Sequence, residues 1–392
     1  MRTALRKIGR LFVGDGTVLE RAAMVIEDGT IAWTGIDSRL AGEAGLLEVD
    51  LEGALVTPGF VDAHSHPLYA GERFGEIALR SSGASYSEIA GAGGGIGATV
   101  RATRAASREE LARALAERLE RWLSSGTTTL EAKTGYHLER AGELADVESL
   151  LEAGRLERAP ALEITFLAAH AAGPEWDGDL DGYAKEVAGW SKAAKSAGAR
   201  HVDVFCDAGY FSPAQARVVL EAGKEAGLLP RMHADELART GAAELAAEVG
   251  CLSADHLLAL NDDGIAALRR GGVVATLAPV TALSMGRTPP ARALRDAGVP
   301  LALGSDHNPG TCGTTSMSLV VALAVSLFGL SVTEALVAAT AGGALALGLE
   351  DRGQLRAGMR ADVAAWPVEH EGAFAWSYGL VPSVVYKKGR AL

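Results

Sequence analysis

The sequence predicts an α/β fold, a (β/α)8 TIM-type barrel with a small β domain formed from both termini. Three observations predict it. Eight short apolar runs alternate with amphipathic segments through the middle of the 392-residue chain. Both ends read instead as short strands joined by tight turns. Histidines recur directly after the apolar runs, at the barrel face where strand-end loops converge.

With 48% hydrophobic and 22% charged residues, the chain can bury a large core, and its length exceeds the usual single-domain range of roughly 100–200 residues. The net charge of −12, with no long basic run, argues against a nucleic-acid or anionic-membrane partner. A small-molecule partner is the expectation. Met1–Arg10 is basic, but only Leu11–Phe12–Val13 follows before Gly14, too short for a secretory apolar core. No run approaches the ~18 apolar residues of a membrane helix, and the expected setting is cytoplasmic. Cys206, Cys251 and Cys312 are widely spaced without a CxxC, so they read as buried small side chains rather than disulfides or a zinc site.

In order along the chain, residues 1–56 contain strand-like units at Arg10–Val13, Ala22–Glu27, Thr30–Gly35 and Leu47–Asp50. Asp15–Gly16 and Asp28–Gly29 punctuate them, the latter a hairpin signal. Ala361–Trp366 and Val381–Lys387 again read as strands, so residues 1–56 and 357–392 are expected to share one small β domain. Residues 57–356 carry the barrel. Its strands are expected at Gly59–Asp62, Thr127–Glu131, Leu162–Leu167, His201–Phe205, Leu229–Met232, Leu252–Asp255, Val273–Leu277 and Leu301–Gly304. Helices are expected at Ser107–Ser124, Gly142–Ala153, Leu180–Ala197, Pro213–Ala226, Gly241–Val249, Asp262–Arg270, Pro290–Ala297, Thr315–Phe328 and Val332–Leu347. A doubly wound open sheet is the alternative, but no Gly-x-Gly-x-x-Gly joins a first strand to a helix. The glycines of Gly91–Gly97 lack that context and read as a loop over the site.

His64 and His66 follow the first barrel strand. Residues i and i+2 of a strand leave one face, so both imidazoles point into one space. His170 follows the third strand, His233 ends the fifth, His256 ends the sixth and Asp306 ends the eighth. Each histidine alone suits a hydrogen-bonded structural role. Together, three imidazoles and a carboxylate suit one divalent ion, Zn2+ or Fe2+, with positions left open for water. The expected metal set is His64, His66, His233 and Asp306, although Asp306 can also cap the following helix. His137 and His307 lie near this face, His201 starts a strand, and His370 falls in the small domain.

Thr57–Pro58–Gly59–Phe60–Val61–Asp62–Ala63–His64–Ser65–His66, with Ala357–Gly358–Met359–Arg360–Ala361–Asp362–Val363 near the end, resembles the amidohydrolase superfamily of metal-dependent hydrolases. That resemblance implies a β-sandwich from both termini beside the barrel. Longer stretches, including Tyr69–Ala70–Gly71–Glu72–Arg73, Lys133–Thr134–Gly135–Tyr136, Asp203–Val204–Phe205–Cys206, His233–Ala234–Asp235–Glu236 and Asp306–His307–Asn308–Pro309–Gly310, are similar to the imidazolonepropionase family of histidine degradation. The resemblance implies hydrolysis of 4-imidazolone-5-propanoate to N-formimidoyl-L-glutamate, in which hydroxide generated on the metal attacks the ring carbonyl. Catalytic roles then fall to Glu236 as water orienter and proton shuttle, to His256 as carbonyl polariser, and to Asp306. An ordinary first-turn helix carboxylate is the plainer reading of Glu236.

The same resemblance places Arg73, Tyr136 and His170 around the substrate, with Arg73 as a bidentate clamp for the propanoate and Tyr86 as a further candidate. It puts Glu236, Asn308, Gly310 and Thr311 there as well, with Thr311 standing where the family has serine. Asp207 stands where the family more commonly has glutamate, and His137 and His307 are unusual neighbours of matched positions. A homodimer is also implied. A relative acting on another cyclic amide or amidine, a heterocycle aminohydrolase, and a non-enzymatic scaffold are the competing readings.

Overall fold

A computed structural model describes residues 2–40, 46–84, 86–176 and 178–392. Two sheets organise it. The first uses β1 (Arg2–Phe12), β2 (Val18–Glu27), β3 (Thr30–Ile36), β4 (Leu47–Asp50) and β5 (Leu55–Pro58). The second, the barrel, uses β6 (Phe60–Asp62), β7 (Thr127–Lys133), β8 (Ala161–Ala169), β9 (His201–Cys206), β10 (Leu229–Pro230), β11 (Met232–Ala234), β12 (Ser253–His256), β13 (Val274–Leu277) and β14 (Leu301–Leu303). The chain then returns to the first sheet with β15 (Val363–Trp366), β16 (Val384–Lys387) and β17 (Arg390–Ala391).

In the first sheet the order is β17-β16-β15-β5-β1-β2-β3, with β4 also on β1. Both chain ends therefore meet where β15 pairs antiparallel with β5. Asp28 and Gly29 take φ of 47 and 83°, the positive values a primed hairpin turn requires between Glu27 and Thr30. β1 is far longer than the unit expected at Arg10–Val13. Its basic residues pair with acids in the connections beside the sheet: Arg6 reaches Asp37 at 2.7 Å and Arg10 reaches Glu371 at 2.7 Å. The strand's other face is apolar, with Leu5, Ile8 and Leu11 packed on Met24, Ile26, Val56 and Val363.

The barrel strands are parallel in the order β14-β13-β12-β11-β9-β8-β7-β6, with β10 and β11 forming one strand interrupted at Arg231. The seam between the first and last strands is closed by backbone bonds: Ala63 N–H donates to Leu303 O at 3.2 Å, and Asp306 N–H to His64 O at 2.8 Å. Gly304 permits this approach, because a Cβ there would lie 2.5 Å from the Cβ of His64. Trp366 and Phe374 pack on Phe60 at ring distances of 5.4 and 5.8 Å, joining the small sheet to the barrel. Among the described residues no helix is long and apolar enough to cross a membrane. The three cysteines are buried and unpaired.

Two expectations are corrected. Between β6 and β7 the glycine-rich stretch is not a plain loop but part of a helical insert, Phe74–Ser81, Tyr86–Gly91 and Gly95–Ala105. Its last helix buries Ile96, Thr99, Val100 and Thr103, the i, i+3, i+4, i+7 spacing of an amphipathic helix that begins directly after the glycines. The single helix expected at Val332–Leu347 is broken by a π-helical turn, Ala338–Gly342. Small residues there let it press on the barrel: a Cβ at Gly342 would lie 2.2 Å from Leu301 O.

Candidate active site

His64 and His66 leave the end of β6, His233 lies within β11, and Asp306 follows β14. The four are buried, at 1, 2, 2 and 3% exposure. The Nε2 atoms of His64 and His66 each lie 3.5 Å from Oδ1 of Asp306, and those of His66 and His233 are 3.4 Å apart. These separations are long for strong hydrogen bonds. They match the roughly 3.4 Å edges of a tetrahedron whose bonds are about 2.1 Å, the Zn–N distance. Nε2 of His64 has no hydrogen-bond partner although it is buried. This donor set, with an orphaned nitrogen facing its centre, fits a divalent ion.

For His64 and His233 the other ring nitrogen faces an acid below. Nδ1 of His64 lies 2.6 Å from Asp255 Oδ2, and Nδ1 of His233 lies 3.0 Å from Asp203 Oδ2. A carboxylate at Nδ1 makes that nitrogen the donor and leaves Nε2 a bare acceptor. Burial, reinforced by the Lys133 cation, holds His64 well below the usual imidazole range, so the ring is neutral. The supporting acids belong to an ionic layer inside the barrel. Lys133 Nζ contacts Glu131 at 2.8 Å and Asp203 at 2.6 Å, while Arg231 contacts Glu131 at 2.9 Å and Asp255 at 3.1 Å. All five members are buried. Asp203 stays far below the carboxylate range despite burial because His233 and Lys133 face it. Asp306 is also supported, since Thr281 Oγ1 donates to its Oδ2 at 2.5 Å and leaves Oδ1 toward the imidazoles.

Above the imidazoles lies a narrow cleft of about 40 Å³ lined by residues that include Arg73, Tyr136, His170, Glu236, His256, Asn308 and Thr311. His170 stacks on His66 with ring centroids 5.0 Å apart. Its Nδ1 donates to Gly135 O at 3.0 Å, and burial pushes its pKa down to about 3, so Nε2 is an acceptor. His256 and Glu236 face each other at 3.7 Å, Nδ1 to Oε1, and Nε2 of His256 has no partner. Burial raises Glu236 to about 7, against the pull of His256. Glu236 is in an irregular stretch, since the next helix begins only at Ala242; the first-turn alternative is thereby removed. Asp235, His256 and Asp306 all have positive φ, at 49, 74 and 50°. Three strand ends that meet the cleft thus carry left-handed backbone at non-glycine residues.

Arg73 is 9% exposed. Its Nη1 donates to Thr99 Oγ1 at 3.1 Å and its Nε lies 3.3 Å from Glu76 Oε2. Glu76 in turn accepts Gly95 N–H at 2.7 Å, tying the clamp to the helical insert. Gly310 lies against Arg73, where a Cβ would overlap the guanidinium at 1.5 Å from Nη2. Asn308 spends its amide on its own loop: Oδ1 accepts Gly310 and Thr311 N–H at 2.8 Å each, and Nδ2 donates to Asp306 O at 2.7 Å. Its visible work is therefore to shape the loop. Tyr86 begins a helix, and its side chain lies outside the described residues.

Of the remaining histidines, His307 accepts from Tyr69 OH at 3.1 Å and donates to Thr314 O at 3.1 Å, His137 pairs with Asp146 at 2.7 Å, and His201 contacts Leu347 O at 3.2 Å. None of these three lines the cleft. Sequence reasoning assigned no role to Glu131, Arg231 and Thr281, and saw Lys133 and Asp203 only within motifs and Asp255 only at a strand end. Glu131 and Lys133 did carry a signal, being two charges at i and i+2 in an otherwise uncharged strand.

A parallel barrel with three histidines and an aspartate at its strand ends defines a metal-dependent hydrolase, and residues 71–375 match the model of the amidohydrolase family. The imidazolonepropionase of Anaeromyxobacter dehalogenans is 42% identical over 386 residues, spanning 96% of this chain and 92% of that one. The imidazolonepropionase of Geobacillus kaustophilus is 43% identical over 388 residues, spanning 96% and 91%. This chain belongs to the imidazolonepropionases of the amidohydrolase family. A solved Xaa-Pro dipeptidase with bound methionine in its active site shares the fold with a TM-score of 0.75 at 17% identity, over 100% of both chains.

Proposed function

We propose that this chain hydrolyses 4-imidazolone-5-propanoate to N-formimidoyl-L-glutamate, opening a cyclic amide at its C–N bond. The observation that carries the reading is the convergence of His64, His66, His233 and Asp306 under a cleft that holds the Arg73 clamp and the Glu236–His256 pair. These four residues would hold one divalent ion, Zn2+ or Fe2+. When bound, such an ion acts as a Lewis acid and lowers the pKa of a coordinated water from 15.7 toward about 7.

The chain's own residues supply the rest. Arg73, with two guanidinium faces already anchored by Thr99 and Glu76, holds the propanoate carboxylate by charge-assisted hydrogen bonds. Tyr136 and His170 wall the ring, and Thr311 completes the cleft on the far side, shaped by Asn308, while Gly310 leaves room for the Arg73 guanidinium. Glu236, poised near 7, takes the proton of the attacking water and returns it to the leaving ring nitrogen. His256 donates a hydrogen bond from Nε2 to the carbonyl oxygen as negative charge develops there. Asp306 helps to orient the water, its carboxylate held in place by Thr281 through Oδ2. A homodimer in the cytoplasm completes the proposal and is supported by the family resemblance.

The test is to mix metal-loaded protein with imidazolone propanoate and follow its ultraviolet band, with His233→Ala as control. Loss of the band with release of formimidoyl-glutamate and no ammonia is expected, with turnover at least ~10³-fold lower in the control. No turnover by the metal-loaded wild type would overturn the reading, and ammonia release would redirect it to a heterocycle deaminase.

A further inference from the structure

Glu236 sits in no helix or strand, so its carboxylate is steady only if the backbone around it is pinned. We infer that Asp207 and Arg287 are positioning residues that fix Glu236 for its proton transfers, an assignment that rests on the reaction proposed above. The two act on opposite poles of the same peptide groups. Asp207, 2% exposed at the end of β9, accepts the N–H groups of Glu236 and Leu237 on Oδ2 at 2.6 and 2.7 Å. Its Oδ1 accepts those of Ala238 at 3.0 Å and Ala208 at 2.7 Å. Arg287 Nη1 donates to the carbonyl oxygens of Glu236 and Leu237 at 3.1 and 2.7 Å. The N–H and C=O of both residues are thereby held.

The neighbouring turn is braced in the same way, since Asp235, at φ 49°, accepts Thr240 N–H at 2.7 Å. Three consecutive N–H groups aimed at one buried carboxylate form an anion-binding concavity filled by the protein itself. Neither Asp207 nor Arg287 lines the cleft, so each acts on the reaction through Glu236, by the backbone it holds and by its charge beside that carboxylate. A displacement of Glu236 by about 1 Å is enough to cost on the order of 10²-fold in rate.

Asp207→Asn keeps the side chain's size but offers one acceptor oxygen in place of two and points an NH2 group at backbone donors. Its kcat for imidazolone propanoate should fall about 10–100-fold, with KM changed less than about twofold and metal content per chain unchanged. In a Glu236→Gln background the same substitution should cost nothing further, because the group it positions has lost its proton. Arg287→Ala releases the opposite poles without leaving an unpaired buried carboxylate, so it gives the same signature if Asp207→Asn fails to fold. Asp207→Glu, which restores the charge, should recover part of the loss. Unchanged kcat in either folded variant, an additive loss in the double variant, or a loss that tracks metal content or melting would overturn the assignment. Absence of turnover by the wild type would instead defeat the reaction proposal.

Discussion

The floor and the roof of the cleft are built on different principles. The floor is made of strand ends resting on a buried ionic layer inside the barrel: Asp255 under His64, Asp203 under His233, with Lys133 and Arg231 between the acids. The roof is an insert of helices at Phe74–Ser81, Tyr86–Gly91 and Gly95–Ala105, tied to the barrel by contacts such as Arg73 N–H to Pro309 O at 3.0 Å and Arg80 to Gly310 O at 2.8 Å. Phe74, Ile77 and Leu79 on that insert are exposed. The contrast teaches that the groups proposed to hold the metal are set by sheet register, whereas the groups proposed to hold the substrate's tail hang on an insertion. Reaction chemistry and substrate choice are then separable by mutation.

The largest effect that sharpens this division lies at the boundary between the two. Glu236→Gln should lower kcat by about 10²–10⁴-fold while metal content stays at the wild-type level. Because burial raises Glu236 to about 7 and the ionised form takes the proton, wild-type activity should rise with pH up to a limb at or slightly below 7, a nearby divalent cation pulling the value down. That limb should vanish in the variant; its persistence would show that another group is titrating.

A smaller effect is expected at the roof. Arg73→Lys keeps the charge but removes the planar fork, so KM should rise about 10–100-fold with kcat nearly constant and metal retained. Loss of metal in this variant would break the separation outright. Beneath the floor, Asp255→Asn should leave KM at saturating metal unchanged and weaken metal affinity about 10–100-fold, read by chelator competition with the melting temperature of the metal-free protein as control. Unchanged affinity would mean that His64 is oriented by the barrel alone.

The same division decides what could be read from sequence. His64, His66, His233 and Asp306 were legible because strand ends recur with the barrel's rhythm, and a histidine after an apolar run is conspicuous. The hairpin at Asp28–Gly29 was legible because left-handed backbone demands those residue types. The insert was not, because the three glycines before Ile96 masked the helical spacing of Ile96, Thr99, Val100 and Thr103. The ionic layer escaped for a different reason. Asp203 and Asp255 sit on strands more than fifty positions apart, and only parallel pairing brings them to the same depth. Asp207 was visible as an oddity of composition, but its partners are backbone N–H groups, which leave no trace in a residue pattern.

The seam at Gly304 has a consequence for how the molecule assembles. Ser305 N–H donates to Asp62 Oδ1 across 243 positions of chain, at 2.8 Å, so the two edges that supply His64, His66 and Asp306 are joined by contacts of very long sequence separation. Such long-range closure is slow and comes late. Three of the proposed metal ligands thus lie on the two sides of that seam, so an ion held by them would clasp the first and last strands of the barrel together.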